Sequence, residues 1–416
     1  MSNETRLDRL ANEVVSGGTQ RDPDAAPTPA MKYGGIAGWI LLFVLLWFHS
    51  PWDDVFVAGI LLSVVLHEFG HFYTARKSGM KATQFFVGFG PRVWSFHRNG
   101  VEYGLRVLPI GGFVKIIGMT NIDEIPAEDE GVTYRQASFP RRMWVITAGS
   151  VMHMIIAIVL IVGVYGISGR FQESGHVTIR SVSTGSPAAT AGLQPHDIVT
   201  AIDGVRMVTA ETFRNTLAAT APKSTVHLDV LRGSSHVTLD ATLVQSPAAK
   251  PGETRGFLGV TSDSFDRVKV GVGSALVQGP KDLVVGVGRS VVGILKVINP
   301  INVFGHLTGS NTDATTRPGT IVGATRVSKT VGNLDGWAGM LEFLASLNVT
   351  LGVLNMFPLL PLDGGHAAVA IYERVRSRKN KRYFADFSKL MPVAAACIML
   401  LAFMFLTGMY LDIAKP

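Results

Sequence analysis

The chain holds a single cysteine, Cys397, so no disulfide can close within it. It lies in an apolar segment, where a small core residue is a better reading than a thiol nucleophile. Charge is scarce as well. Asp, Glu, Lys and Arg make up 17% of the 416 residues, where soluble domains carry about 25%, and the mean hydropathy is +0.30. Residues 1–30 lack the apolar core of a cleavable signal peptide and contain Pro23, Pro27 and Pro29, so they read as a disordered tail. The net charge of +7 does not indicate a nucleic-acid partner, because Lys and Arg gather in loops beside apolar segments and form no single basic face.

What the sequence has in quantity is long apolar runs. A bilayer takes about 20 apolar residues to cross, and five stretches qualify: Tyr33–Trp52, Val55–Ala75, Met143–Gly169, Phe343–Leu362 and Leu390–Leu411. Four carry no Asp, Glu, Lys or Arg, and Val55–Ala75 carries only Glu68. The first is the weakest, since only Ile36–Phe48 is strongly apolar. Arg76, Lys77, Lys81, Arg92, Arg98, Arg106, Lys115, Arg141 and Arg142 fill the connection between the second and third segments. Glu373–Lys389 holds seven Lys and Arg against two acids. By the positive-inside rule both loops are expected to be cytoplasmic. Asp53 and Asp54, the insert from Arg170 to Glu342 and the C-terminus then fall outside.

Between Gln84 and Met119 the chain reads QFFVGFGPRVWSFHRNGVEYGLRVLPIGGFVKIIGM. Alternation of Val101, Tyr103, Leu105 and Val107 with Glu102, Gly104 and Arg106, after the turn signal RNG, predicts a β-hairpin. It is either an ordinary cytoplasmic hairpin or an edge strand that receives an extended peptide. In the outer insert, GSPAATAGLQPHDIVTAIDGV (Gly185–Val205) is followed by alternating TVHLDVLRG and VTLDATLV. This turn, short helix, glycine stop and strands look like a PDZ domain over residues 175–262. GFLGV (Gly256–Val260) suits its carboxylate-cradling loop, although glycine-rich turns of this kind are common. Lys281–Asn299 places Asp282, Arg289 and Lys296 seven apart, a helix lying on the membrane surface or packed on that domain.

The chemistry starts in VVLHEFGHFY, residues 64–73. A charge at the bilayer midplane costs on the order of 2.5–3.5 kcal/mol, so Glu68 between two imidazoles needs a function. His67 and His71, four apart, project from one helix face and can meet one metal, while Glu68 can take a proton from a metal-activated water. Zinc wants a third protein ligand. Asp363, at the cytoplasmic end of the fourth segment, reaches a depth similar to that of His71. Pro358 and Pro361 break that segment where it lines a cavity or is buried in protein. Asn355 can hold a substrate oxyanion or bond a neighbouring helix. His366 reads as a supporting residue and not as a ligand.

HEFGH in one membrane segment, NMFPLLPLDGG in a later one and one PDZ-like insert between them resemble the site-2 protease family of intramembrane zinc metalloproteases, nearest its RseP-like subclass and actinobacterial branch. GFGPRVWS, YGLRVLPIGGFVKIIGM and PRRMWVITAGS also resemble that family, over about residues 55–411. The resemblance implies that His67, His71 and Asp363 bind zinc, Glu68 is the catalytic base and Asn355 assists. Where the family usually has AGPxxN, this chain has Ala148, Gly149, Ser150 and then His153.

The expected fold is a polytopic α-helical membrane protein with four to five transmembrane helices, a membrane-associated β-hairpin and an extracytoplasmic PDZ domain of α+β class. The expected division is a disordered cytoplasmic tail (1–32), an accessory helix (33–52), the first half of the protease core (53–169), the PDZ domain (175–262), an amphipathic linker region (263–342) and the second half of the core (343–416). The expected location is the plasma membrane, with the N-terminus and catalytic loops cytoplasmic. The resemblance implies regulated intramembrane proteolysis of a single-span substrate, such as an anti-sigma factor, already trimmed by a site-1-type protease. Unwound substrate backbone needs partners in lipid. Val101, Tyr103, Leu105 and Val107 would supply them by strand addition, with Pro358 beside the substrate. A membrane-anchored PDZ adaptor with a non-catalytic metal site is the alternative, but such a site needs no base. A transporter would be expected to show an inverted repeat, which the sequence lacks.

Overall fold

A computed structural model describes residues 29–119, 125–247, 249, 252–311, 313–378 and 381–414. The expected disordered tail lies almost wholly outside them. The chain divides into two compact units, one formed by residues 1–163 with 276–416 and the other by residues 164–275.

In the first unit, five helices are long and apolar enough to cross a membrane. They are α1 (Pro29–His49), α2 (Pro51–Lys77), α3 (Phe139–Ser168), α8 (Ile321–Asn355) and α10 (Phe387–Ala414). Between α3 and α8 lie α4 (Pro187–Thr190), α5 (Ala210–Ala219), α6 (Val272–Val297) and α7 (Pro300–Thr308), and α9 (Asp363–Arg376) precedes α10. Two expected boundaries move. The break between the first two helices falls at Ser50, whose hydroxyl caps the Trp52 amide ahead of Pro51. Asp53 and Asp54 therefore sit in the first turn of α2, where the helix dipole favours acids, and not in a loop. The fourth segment begins at Ile321, not Phe343, and bends at Gly336, whose φ of 59° and ψ of −141° leave the helical region. The expected linker region is thus largely helical. Its α6 and α7 meet at a 61° bend.

Buried polar contacts tie α2 to α8 along their length. The Ser328 hydroxyl donates to Asp53 at 2.8 Å, and the Asn348 amide donates to the Ser63 hydroxyl at 3.1 Å. Between them Phe56 stacks on Phe343 with centroids 5.6 Å apart. Partner numbers rise together along the two helices, so they run in the same direction, and Asn355, seven residues past Asn348, ends α8 at the level of the His67–His71 turn of α2.

Strands β1 (Ala82–Arg98) and β2 (Val101–Ile116) fold into more than a two-stranded hairpin. Residues 102–105 pair with 94–97 on one side and with 84–87 on the other, while residues 112–116 pair with 82–87 on the far flank. The expectation of an edge strand at Val101–Val107 fails here. The turns at Gly88–Gly90 and Asn99–Gly100 fold the chain back on both sides of it, and residues 112–116, among the described residues, carry β partners on one side only. The fold reaches deep: Trp39, mid-helix in α1, donates its indole N–H to the Arg106 carbonyl at 3.1 Å. Arg106 is itself buried, with Phe86 and Phe113 each 4.7 Å from its guanidinium and the Gly90 carbonyl accepting at 2.9 Å.

The second unit holds β3 (Arg170–Val182), β4 (Ile198–Ile202), β5 (Val205–Arg206), β6 (Thr225–Arg232), β7 (Ser235–Thr242), β8 (Val244–Gln245), β9 (Gly256–Phe257) and β10 (Val260–Val268). Its main sheet runs β10-β3-β4-β6-β7, with β5 on β4. Val177, Ile179, Val199, Phe213 and Leu228 are wholly buried between sheet and helices. The sheet is longer than residues 175–262, because Val268 still pairs with Arg170. Within Gly256–Val260 the Leu258 and Gly259 carbonyls accept from the Ala188 and Ser183 amides.

Asp197 is buried and bonded by Arg232 through Nε at 2.8 Å and Nη2 at 2.7 Å, and by the Gln194 amide at 2.8 Å. Burial alone would raise its pKa, but these bonds outweigh it and hold the carboxyl below the usual range. A depressed native pKa gives stability that is complete above the unfolded value of about 3.9 and is lost as pH falls through the native one. Hydrogen exchange on the full chain should show β4 and β6 losing protection as pH drops below about 4. Asp197→Asn should bring the same loss at neutral pH, and protection unchanged in both would dismiss the pair as a stabiliser.

Candidate active site

The C-terminal half of α2 carries His67 and His71 one turn apart, and Asp363 opens α9. Between α8 and α9 the chain turns through residues 356–362, and Gly364 lets α9 start against that turn: a Cβ there would stand 2.3 Å from the Met356 and Phe357 carbonyl groups. His71 Nε2 lies 3.2 Å from His67 Nε2 and 3.2 Å from Asp363 Oδ2, and His67 Nε2 lies 3.5 Å from the same oxygen. Four ligands held tetrahedrally at zinc bond lengths stand about 3.3–3.4 Å apart.

The donor set fits a cation for a second reason. His71 Nδ1 faces the Val145 carbonyl at 2.8 Å, and a carbonyl only accepts, so Nδ1 carries the proton and Nε2 presents a lone pair. Asp363 Oδ2 is buried with no hydrogen-bond donor. Lone pairs converging in a buried space repel unless a cation separates them. Among the described residues these are the three side chains whose donor atoms come within 4.8 Å of one another in a group able to hold a metal.

Helix α3 closes one side. Gly149 passes so near that a Cβ would stand 2.4 Å from both His67 Cε1 and His71 Nε2. One turn on, the His153 ring lies 4.9 Å from that of His67 and its Nδ1 is 2.9 Å from Asn348 Oδ1. Asn348 also donates to the Leu344 carbonyl at 2.8 Å, which fixes its amide orientation and makes His153 the donor to its oxygen. This polar chain, running on to Ser63, is the part that sequence reasoning missed. Its visible signals were His153 in the third apolar segment and Asn348, seven residues before Asn355 and so on nearly the same face of an apolar helix.

Glu68 borders the sheet and stays within electrostatic reach of His71 and Asp363. A Cβ at Gly112 would stand 3.1 Å from Glu68 Cγ, and the Val114 amide bonds the carboxylate. The unpaired flank of β2, and not Val101–Val107, therefore borders the acid. Asn355 closes α8, half-buried, and Pro358 is exposed in the turn that follows; the converging donors come from elsewhere. His366 lies one turn beyond Asp363 and lines a small cavity with Arg142 and Glu373.

Known proteins are similar to this chain over most of its length. Residues 55–401 match the description of peptidase family M50. The chain is 34% identical over 403 residues to the zinc metalloprotease Rip1 of Mycobacterium tuberculosis, covering 87% of this chain and 97% of that one. It is 31% identical over 401 residues to Rip1 of Mycolicibacterium smegmatis, with the same coverage. A solved PDZ domain of an SdrC-like protein from Listeria monocytogenes is 25% identical over 21% of this chain and 87% of that one, with a TM-score of 0.19. The chain belongs to peptidase family M50 and is a multi-pass membrane zinc metalloprotease.

Proposed function

We propose that the protein is an intramembrane endopeptidase that cuts single-span membrane proteins, in the manner of regulated intramembrane proteolysis. A pre-trimmed anti-sigma factor is the expected kind of substrate and a site-1-type protease its upstream partner. In this reading His67, His71 and Asp363 hold the zinc, Glu68 is the base, and Asn355 steadies the substrate carbonyl. The observation that carries it is the meeting of three metal donors in the C-terminal half of α2 and the start of α9, beside a lone acid and a strand with β partners on one side only.

Zinc, when bound, supplies a Lewis acid that polarises a carbonyl and makes water more acidic. The chain does the rest. The proton on His71 Nδ1 is committed to Val145, which fixes the imidazole that Nε2 presents. The Glu68 carboxylate takes a proton from the attacking water and returns it to the nitrogen of the leaving amine. A transmembrane substrate must unwind to expose a peptide bond, and its freed amides and carbonyls need partners in a water-poor site. Residues 112–116 offer them by strand addition beside Glu68. Strand addition along Val101–Val107 is blocked, since residues 102–105 carry β partners on both sides. The second unit, read as an extracytoplasmic PDZ domain, would filter bulky ectodomains or bind a newly exposed C-terminus.

Glu68→Gln should lower kcat/KM for a single-span substrate by about 100-fold or more while zinc content stays at the wild-type level; undiminished cleavage would remove Glu68 as base. Gly149→Ala should weaken zinc binding roughly 10- to 100-fold by pushing on both imidazoles, read by metal analysis after dialysis against a graded chelator. Full retention would show that α3 can move aside. In the Glu68→Gln background with Cys397 replaced, a cysteine at Lys115 should form a disulfide with one near the scissile region of the substrate, and a cysteine at Leu105 should not. The reverse pattern would place the substrate elsewhere.

A further inference from the structure

Beyond the proteolytic site, the first unit holds a second built cavity that the chemistry above does not use. It encloses about 280 Å³ at the N-terminal end of α3, between the segment Arg135–Arg142 and the C-terminal end of α9 with the chain that follows. Arg135, Arg142, Arg374 and Arg382 line it, with Ser138 and Ser377 among the polar groups between them.

The acids around it are already taken. Glu130 bonds Arg135, Glu373 bonds Arg142 at 2.6 Å, and Asp386 lies 3.6 Å from Lys389. Among the described residues Arg374 and Arg382 have no acidic partner; the Arg382 guanidinium donates to the Gln136 carbonyl at 3.0 Å. Arg142 is 7% exposed, and its Nε is buried without an acceptor. Two cations in excess and the positive end of a 30-residue helix border one cavity, and Arg142, which also lines it, keeps a buried guanidinium N–H without an acceptor. Together they call for an anion with several oxygens, the chemistry of a phosphate ester.

Apolar surroundings decide the source. Ile371, Tyr372 and Val375 on α9 are 48%, 47% and 78% exposed, and Phe384, which lines the cavity, is 42% exposed. Trp144, five residues into α3, is 58% exposed, as an interfacial aromatic would be. An inorganic phosphate would leave Phe384 in water, whereas a lipid seated in the cavity covers it with its acyl chains. Basic pockets between membrane helices take anionic headgroups in this way.

We propose that this cavity binds the headgroup of an anionic phospholipid, its phosphate held by Arg142, Arg374 and Arg382 at the N-terminus of α3. Seated there, the headgroup clamps α3 to α9, the two helices that bring Gly149 and Asp363 to the metal donors.

The test uses the full chain in an uncharged detergent at constant ionic strength. Unfolding temperature is followed against dihexanoyl phosphatidylglycerol, dihexanoyl phosphatidylcholine and sodium phosphate. Phosphatidylglycerol should raise it saturably and the other two should not. At about fivefold per cation, Arg374→Gln with Arg382→Gln should raise the half-saturating concentration about 30-fold. Arg374→Gln alone, on an exposed helix face, should raise it about fivefold and serves if the double variant does not fold. Arg98→Gln, an exposed cation in β1, should leave it unchanged. Equal response to phosphatidylcholine, or an equal loss in Arg98→Gln, would overturn the proposal, as would an unchanged response in the arginine variants. A rise reproduced by sodium phosphate would reassign the cavity to a free anion and overturn the lipid assignment.

Discussion

Two imidazoles and a carboxylate share a few ångströms of apolar helix bundle with their lone pairs turned toward one another, and the rest of the fold answers to that. Without a cation the arrangement is repulsive, and without close walls it would relax apart. The walls are supplied by absence as much as by contact. Gly149 brings the α3 backbone within reach of both rings, and Gly364 lets α9 begin where Asp363 can point at them. The pairs Asp53–Ser328 and Ser63–Asn348 keep α2 and α8 in register, so that the two ends of a gap of almost 300 residues meet at one depth.

The same demand shapes the sheet beside the bundle. Backbone at membrane depth must find partners inside the protein. Residues 84–87 and 102–105 meet it by pairing on both sides, and buried Arg106 meets it through two aromatic faces and a carbonyl. Among the described residues two flanks are left over, at residues 94–97 and 112–116, and the second lies against Glu68. An unpaired flank beside a lone acid is a place where a second extended chain gains what it loses by unwinding.

Charge is distributed by the same logic outside the bundle. Arginines that pair with Glu130 and Glu373 hold the loop and α9 in place, and those left over gather where α3 and α9 begin and end. The clustering of arginines thus has a local consequence: a cavity lined by cations between the N-terminal end of α3 and the C-terminal end of α9.

Much of this was legible in the residues. Uncharged runs marked the spanning helices because lipid tolerates little else. The i, i+4 histidines marked a shared helix face, and Glu68 stood out as a charge with no structural excuse. Asp363 could be matched in depth because sparse loop charges oriented the segments. The edge of the sheet could not be read. Alternation in Val101–Val107 announces a strand, but which flank stays unpaired depends on how the glycine turns at 88–90 and 99–100 fold neighbours back on it. Nor could His153 and Asn348 be joined, since each reads as an isolated polar group in its own helix. Local composition and periodicity therefore marked the apolar segments, the two histidines on one helix face and the lone acid between them. The tertiary packing of α3, α8, α9 and the sheet decided which groups meet, because distance across a fold is set by contacts that no local stretch encodes.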